Sequence, residues 1–378
     1  MTASNHSLHG WDSDQIALYR PRLEDADVAA VLARFPELHG PAQILWRSPR
    51  PFSAVARVRT PAGEVFVKRQ HQRVRTPAAL GEEHALLQHL RSRDIPVPRV
   101  LADAAGMTAI PAGEWVYEVH APAAGLDLYR DTPSWTPLRQ LGHARHAGRM
   151  LARLHRAAAD FDARQRSATL LVARDDALRA PDLHAAIEAQ TAWRPGLAAY
   201  LAGRDGWREE LAPLAARHRS LQPRLAGLPR LWTHGDWHVS NLCWAGSDAD
   251  AEVAAVLDFG LCAPTFALYD LATAIERNAV AWLQLERGMD AAHPDTARAL
   301  VGGYAEVLPL TDAERVLLAD LLPLVHIDFA LSEIDYYQGE FGARTQADQA
   351  WEGFLLAHAA WFETAPGLAL LAAIRPPA

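Results

Sequence analysis

His234-Gly235-Asp236-Trp237-His238-Val239-Ser240-Asn241, followed a short way on by Val256-Leu257-Asp258-Phe259-Gly260, is the stretch on which the fold turns. Its first half sets a carboxylate and a carboxamide on one segment, with four residues between them. Its second half places another acid after an apolar run that reads as a strand, beside a flexible glycine. Such a trio suits a divalent cation and a reacting phosphate. Mg²⁺ takes hard oxygen ligands, commonly one or two carboxylates with phosphate oxygens and water. In-line phosphoryl transfer asks the protein mainly for positioning and charge neutralisation. Asp258 and Asn241 are the candidate cation ligands, and Asp236 is the candidate acceptor of a proton from an attacking hydroxyl.

Upstream of this stretch the periodicity is that of a sheet. Gln43–Arg47, Ala54–Thr60 and residues 64–69 alternate as strands, with Pro61-Ala62-Gly63 as a tight turn that predicts a hairpin. Lys68, at the end of the third run, is the natural cation for phosphates. Residues 80–93 read as a helix with Leu86, Leu87 and Leu90 on one side, ended by Pro96 and Pro98, and Glu83 on it is the acid to hold Lys68. Glu82 faces elsewhere. Further strands near 99–102 and 114–119 complete a sheet of about five strands carrying one helix. A short helix over 25–36 precedes it.

Downstream of Ala121 the chain turns helical. Pro122 and Gly125 mark a linker, and Ala147, Leu151, Leu154 and Ala158 form the stripe of a helix starting near 136. Residues 175–225 are mostly helical. Residues 269–284 read as a buried helix, Thr311-Asp312-Ala313-Glu314 as a capping box opening a helix toward 337, and 347–361 as another. The expected division is an N-terminal helical extension (1–40), a sheet lobe (41–120) and a helical lobe (121–378), an α+β class.

Composition excludes several classes. Half of the 378 residues are apolar and the formal net charge is −8, which speaks against a nucleic-acid binder. The N-terminus shows no basic-then-apolar signal, and the longer apolar runs are too interrupted to span a bilayer. The expectation is a cytoplasmic protein without membrane or nucleic-acid partners. Two cysteines, Cys243 and Cys262, form no CxxC pair and read as core residues. His234-x-Asp236-x-His238 superficially resembles a metal cluster of the metallohydrolase kind, but no second tight cluster occurs among 17 histidines. His238 reads as a loop residue near the site. Trp282, Trp351 and Trp361 read as core.

The chain resembles the aminoglycoside phosphotransferase and choline kinase-like family, which has the two-lobed protein-kinase-like fold. The resemblance is carried by His234-Gly235-Asp236 with Asn241, by Asp258-Phe259-Gly260, by Tyr269-Asp270-Leu271-Ala272, by Val-Phe-Val-Lys68 with Glu83, and by Leu154-His155. It implies an ATP- and Mg²⁺-dependent kinase in which Asp236 is the catalytic base and Asn241 and Asp258 bind Mg²⁺. It further implies that Lys68, paired to Glu83, holds the α/β-phosphates, and that the Glu118-Val119-His120 hinge offers main-chain groups to adenine. Asp270 and His234 are expected to brace the loop. No glycine-rich motif precedes Lys68; in its place stands Ser48-Pro49-Arg50-Pro51-Phe52-Ser53, where main-chain amides and Ser53, or Arg50, are the candidates to cover phosphates.

Gly235 stands where protein kinases carry an arginine, and only residues 261–269 separate the second acid motif from Asp270. A small-molecule hydroxyl is therefore the expected acceptor, such as an amine-bearing metabolite, amino sugar or amino alcohol. In this family the C-terminal helices line the acceptor site, which makes Asp328, Ser332, Asp335 and Tyr336 the candidates to contact it. The rival readings are a stress-response type protein Ser/Thr kinase and a catalytically silent nucleotide-binding module.

Overall fold

The strand-forming residues upstream of Lys68 assemble as their alternation dictates. In the computed structural model, which describes residues 22–48, 53–161 and 164–376, five strands form an antiparallel sheet in the order β1-β2-β3-β5-β4: β1 (Gln43–Arg47), β2 (Ala54–Thr60), β3 (Gly63–His71), β4 (Ile110–Ala112) and β5 (Trp115–His120). Ala56, Val58, Val65, Val67 and Val119 point to one buried face, where Val28, Val31 and Leu32 of the Asp25–Leu32 helix cover them. That helix thus shares its core with the sheet. Register sets Lys68 of β3 opposite Val55 of β2 and Glu118 of β5.

The expected strand at 99–102 is absent: that segment makes only an isolated bridge, Val100 to His120, and the edge strand is β4. Pro96 and Pro98 lack the amide hydrogens that a ladder needs. The helix after β3 runs Pro77–Arg91 with Thr76 capping its Ala79 amide, and its Leu86, Leu87 and Leu90 pack into the helical lobe.

In that lobe the Leu141–Ala158 helix crosses Pro294–Ala305 at backbone contact. A Cβ on Gly148 would lie 1.9 Å from the Leu300 carbonyl oxygen, and one on Gly303 1.9 Å from that of Arg145. Only glycines admit this approach. It brings His155 and Tyr304 together, Nδ1 to hydroxyl at 2.9 Å.

The helix expected from 311 to 337 is two, Asp312–Leu321 and Ile327–Phe341, with Pro323 in the break. The Thr311–Glu314 capping box is present. The buried helix beyond the site is Ala267–Asn278, and residues 347–361 are helical within the joined segments Arg344–Gln349, Ala350–Ala357 and His358–Trp361. The fold class is the expected one, an antiparallel sheet lobe with a helix and a larger helical lobe.

Candidate active site

The two acid motifs meet because their flanking strands nest. β6 (Leu231–Thr233) pairs with β9 (Ala263–Thr265), and β7 (Leu242–Trp244) pairs with β8 (Val253–Val256). The chain therefore makes an outer and an inner ladder, and the loops 234–241 and 257–262 lie side by side between them. Main-chain and side-chain bonds join the loops directly. The Leu257 amide donates to the Asn241 carbonyl at 2.8 Å, and His234 Nε2 donates to the Leu257 carbonyl at 2.9 Å. His234 Nδ1 then accepts from the Asp236 amide at 3.1 Å, so this buried ring is committed to the backbone and not to a metal.

Asp270, at the start of the Ala267–Asn278 helix, holds the loop from below. Its carboxylate accepts from the His234 amide at 2.7 Å, the Gly235 amide at 2.8 Å and His155 Nε2 at 3.0 Å. Burial alone would push this carboxyl up; the His155 bond and the Gly235 amide hold it below the usual range instead. Gly235 has φ +75°, and a Cβ there would sit 2.7 Å from Ala173 Cβ and 2.9 Å from the Leu261 carbonyl oxygen. The loop needs glycine at this point on both counts.

Asp236 faces the cleft between the lobes. It accepts from Arg277 in a short ion pair, from Asn241 Nδ2 at 3.1 Å, and lies 3.4 Å from His238 Nε2. Burial works against its charge, but Arg277 and His238 hold the carboxyl far below the usual range. Asn241 Nδ2 also donates to the Asp236 carbonyl at 2.8 Å, while His238 Nδ1 accepts from the Ser240 amide at 3.2 Å, which leaves the ring proton on the Nε2 that faces Asp236. The Asn241 amide hydrogens are thus engaged on the Asp236 side, which turns the carboxamide oxygen away from that loop. Asp258, in a left-handed conformation at φ +53°, presents a half-exposed carboxylate, with Oδ1 3.1 Å from Lys68 Nζ. The protein walls of the cleft work against its charge although its edge meets solvent, while Lys68 keeps the carboxyl depressed. A carboxylate open to solvent beside a carboxamide oxygen is a donor set that Mg²⁺ accepts.

Lys68, Asp236, Asn241 and Asp258 line one cleft, together with Ser53, Trp135, Arg277, Phe329 and Glu333. The expected partners of Lys68 and of the acceptor are rearranged, however. Lys68 Nζ lies 3.7 Å from Glu118 and 3.1 Å from Asp258, whereas Glu83 is bound by Arg166 Nη2 at 3.4 Å. Burial opposes the Lys68 charge, and the acids around it, with Asp258 first, still hold its pKa above the ordinary value.

The hinge triad is likewise inward. Glu118 is buried and salt-bridged, the Val119 carbonyl accepts from the Leu101 amide at 2.8 Å, and His120 Nε2 bonds Glu118 at 2.9 Å. None of the three lines the cleft. The cause is register: β5 continues as a paired strand through His120. Of the segment before Lys68, Ser48 and Ser53 line the cleft, while residues 49–52, including Arg50, lie outside the described residues.

The four candidate acceptor residues face away from the cleft. Asp328 accepts from the Ala177 amide at 3.1 Å and Gln190 Nε2 at 2.9 Å; Ser332 Oγ accepts from the Leu171 amide at 2.7 Å; Asp335 accepts from the Gly196 and Leu197 amides at 2.8 and 3.1 Å; Tyr336 is buried against Phe341. Asp328 and Asp335 dock the short helices of 176–202 onto the Ile327–Phe341 helix, and Ser332 ties the segment at Leu171 to it. The face one residue along, Phe329 and Glu333 at helical i, i+4 spacing, is the one turned to the cleft.

Sequence reasoning also missed three arginines. Arg277 closes on Asp236. Arg75 donates to the carbonyls of Val74, Leu170, Leu171 and Gly260, and Arg166 to those of Ala79, Gly260 and Cys262. Both fix the Gly260 carbonyl beside Asp258. Burial lowers Arg75 to about 10. The only signal in the sequence was that Arg277 falls one turn of helix from Thr273 on a buried segment, where a charge is costly without a partner.

Residues 261–266 enter β9 directly, so no long loop intervenes before the Asp270 helix. The cysteines are buried and free, with thiols pushed up to about 11 at Cys243 and about 12 at Cys262, which makes both inert. Trp282, Trp351 and Trp361 are core, with Trp282 stacked on His358 at 3.6 Å. No single helix among the described residues is long and apolar enough to cross a membrane.

A family model described as "Phosphotransferase enzyme family" matches residues 49–310. An uncharacterized protein of Deinococcus radiodurans is 31% identical over 287 residues, 72% of this chain and 71% of that one. A homoserine kinase of Xanthobacter autotrophicus is 26% identical over 255 residues, 66% of this chain and 67% of its own. Among solved structures, an amicoumacin kinase in complex with AMP-PNP, Ca²⁺ and its ligand superposes with a TM-score of 0.59 at 17% identity, covering 92% of this chain and 94% of its own. A microcompartment-associated aminopropanol kinase gives a TM-score of 0.55 at 17% identity over 89% and 94%.

Proposed function

The chain belongs to the phosphotransferase enzyme family, and from that premise we propose that it moves the γ-phosphate of ATP, with Mg²⁺, to a hydroxyl of an amine-bearing small molecule, homoserine being the first acceptor to try. The observation that carries the reading is the convergence of Lys68, Asp236, Asn241 and Asp258 on one cleft, drawn from both lobes and from two loops. In this reading the Lys68 ammonium binds phosphate oxygens. Asp236 accepts the proton of the attacking hydroxyl; its depressed pKa keeps it ionised, and the Arg277 charge that depresses it also limits its strength as a base. Asn241 and Asp258 would hold Mg²⁺, which supplies charge neutralisation on the phosphates when bound.

Arg277 and Glu333 supply a guanidinium and a carboxylate in the same cleft as Asp236. Opposite charges so placed suit a zwitterion, an amine and a carboxylate on one acceptor. The likeness to homoserine kinases supports that choice. The short run into β9 supports a small acceptor over a protein side chain.

The test is nucleotide consumption by purified protein, with ATP and with GTP, against homoserine, aminopropanol, choline, aminoglycosides and sugars. Turnover with one acceptor, abolished in Asp236→Ala while Mg·ATP binding persists, is the expected result. Unchanged turnover in that variant would remove Asp236 from the chemistry. Mg·ATP binding with no transfer to any acceptor would favour a silent nucleotide-binding module.

A further inference from the structure

We propose that Glu118, clamped by His84 and His120, is the residue that positions Lys68 for the nucleotide phosphates, in the place the helical Glu83 was expected to take; the proposal rests on the phosphotransfer reading. Lys68 and Glu118 are direct cross-strand partners on β3 and β5, with Nζ 3.7 Å from Oε1. The other carboxylate oxygen accepts from His84 Nε2 and from His120 Nε2, each at 2.9 Å, and His84 Nδ1 meets the Thr108 hydroxyl at 2.8 Å. Glu118 is 1% exposed, so its charge is held by these groups and by Gln70, whose Nε2 donates to Oε1 at 3.5 Å, and not by water. The cation such a cluster calls for is present: it is the Lys68 ammonium.

Glu83 is otherwise employed. Arg166 takes its carboxylate at 3.4 Å and donates onward to the carbonyls of Ala79, Gly260 and Cys262. Glu83 thus ties its helix to the loop that carries Asp258, and reaches Lys68 only through its field. The helix still contributes to the lysine site, but through the neighbouring residue, His84. The Lys68–Glu118 pairing itself belongs to the sheet, since the two residues sit opposite each other on hydrogen-bonded strands.

The experiment uses the full chain and compares Glu118→Gln, Glu83→Gln, Lys68→Ala and the double variant Lys68→Ala/Glu118→Gln. Mg·ATP affinity by titration calorimetry is read for all four. KM for nucleotide and kcat are read with the acceptor found above, and thermal melts confirm folding. Glu118→Gln should weaken Mg·ATP binding roughly thirtyfold or more, the lower end of what truncating one member of a buried charged pair costs. Glu83→Gln should stay within about threefold on nucleotide affinity, and adding Glu118→Gln to Lys68→Ala should cost nothing further. Three results overturn the proposal while leaving the phosphotransfer reading intact. These are wild-type affinity in Glu118→Gln, the large loss appearing in Glu83→Gln instead, and an equal loss from Glu118→Gln with or without Lys68. A wild-type chain that fails to bind Mg·ATP overturns both.

Discussion

Replacing Asp270 by Asn removes one charge from the floor of the site and little else, which makes it the sharpest probe of how the loop is held. The carboxylate accepts from three donors: the amides of His234 and Gly235, and His155 Nε2. A carboxamide has one acceptor oxygen, and its NH₂ would face one of those donors. At least one buried N–H then loses its partner, at about 1–3 kcal/mol, and the remaining bonds lose their charge assistance. About 3 kcal/mol in total is the expected destabilisation. At ~2.1 cal/mol/K per residue, a chain of 378 residues has an unfolding entropy near ~0.8 kcal/mol/K, so the melting temperature should fall by about 4 °C.

The larger effect is on turnover. Asp270 touches the main chain of His234 and Gly235 and no cleft group, so the loss should fall on kcat through a misplaced Asp236, with Mg·ATP affinity kept. Because the folded carboxyl is depressed, its stabilisation is present above the unfolded value and is lost as pH falls through the folded one. The gap between wild type and Asp270→Asn should therefore narrow below about pH 4, where an unfolded aspartate takes up its proton. Calorimetric melts across pH and steady-state kinetics at neutral pH check this. A variant with wild-type kcat and an unshifted melt would refute the claim that Asp270 holds the loop.

Other expectations follow from the same contacts. Gly235→Ala meets a left-handed backbone and the 2.7 and 2.9 Å approaches of Ala173 and Leu261; the conformation alone costs about 1–2 kcal/mol, and kinetics should show at least about a tenfold loss of kcat from the displaced base. Arg277→Met removes the guanidinium that chiefly offsets burial at Asp236, so that carboxyl rises and the acid limb of the pH–rate profile should move to higher pH; an unmoved limb would contradict the pairing. Asp328 is pushed up to about 7, mainly by burial, with the charge of Asp176 adding. The folded state then holds a proton that the unfolded state has released between about pH 4 and 7, so stability falls as pH rises through that window. Melts of Asp328→Asn against wild type should swing in the variant's favour by up to about 2.6 kcal/mol from pH 5 to pH 8, about two pH units of the window at about 1.36 kcal/mol each.

Local pattern made much of this protein legible. The alternation through Ala54–Thr60 and 64–69 gives the hairpin, because side chains on a strand must choose one face of the sheet or the other. The spacing of Asp236, Asn241 and Asp258 names the acid set, since three hard oxygen donors at two loops imply a cation. The capping box at Thr311 and the proline stops are equally local. Where the reading ran past such signals it erred by small shifts with large effects. Residues 99–102 became an irregular segment, and the helix read through 311–337 broke at Pro323.

On the Ile327–Phe341 helix, a rotation of one residue decides which side chains meet the cleft. Asp328, Ser332 and Asp335 share a face, as their spacing predicts, but that face receives the short helices of 176–202, while Phe329 and Glu333 look into the site. Amphipathic spacing groups residues on a face without saying what packs there. Lys68 and its acid are the same case. The chain contains Glu83 and Glu118, and both spacing and charge allow either one. Strand register puts Glu118 opposite Lys68, and a buried arginine from the far lobe, Arg166, claims Glu83. By itself the sequence determined most of the elements and the polar groups that meet at the cleft, because backbone propensity and side-chain chemistry are properties of neighbouring residues. Only the tertiary structure decided which charge pairs with which, because a buried ion takes whichever counter-ion the packing brings within reach.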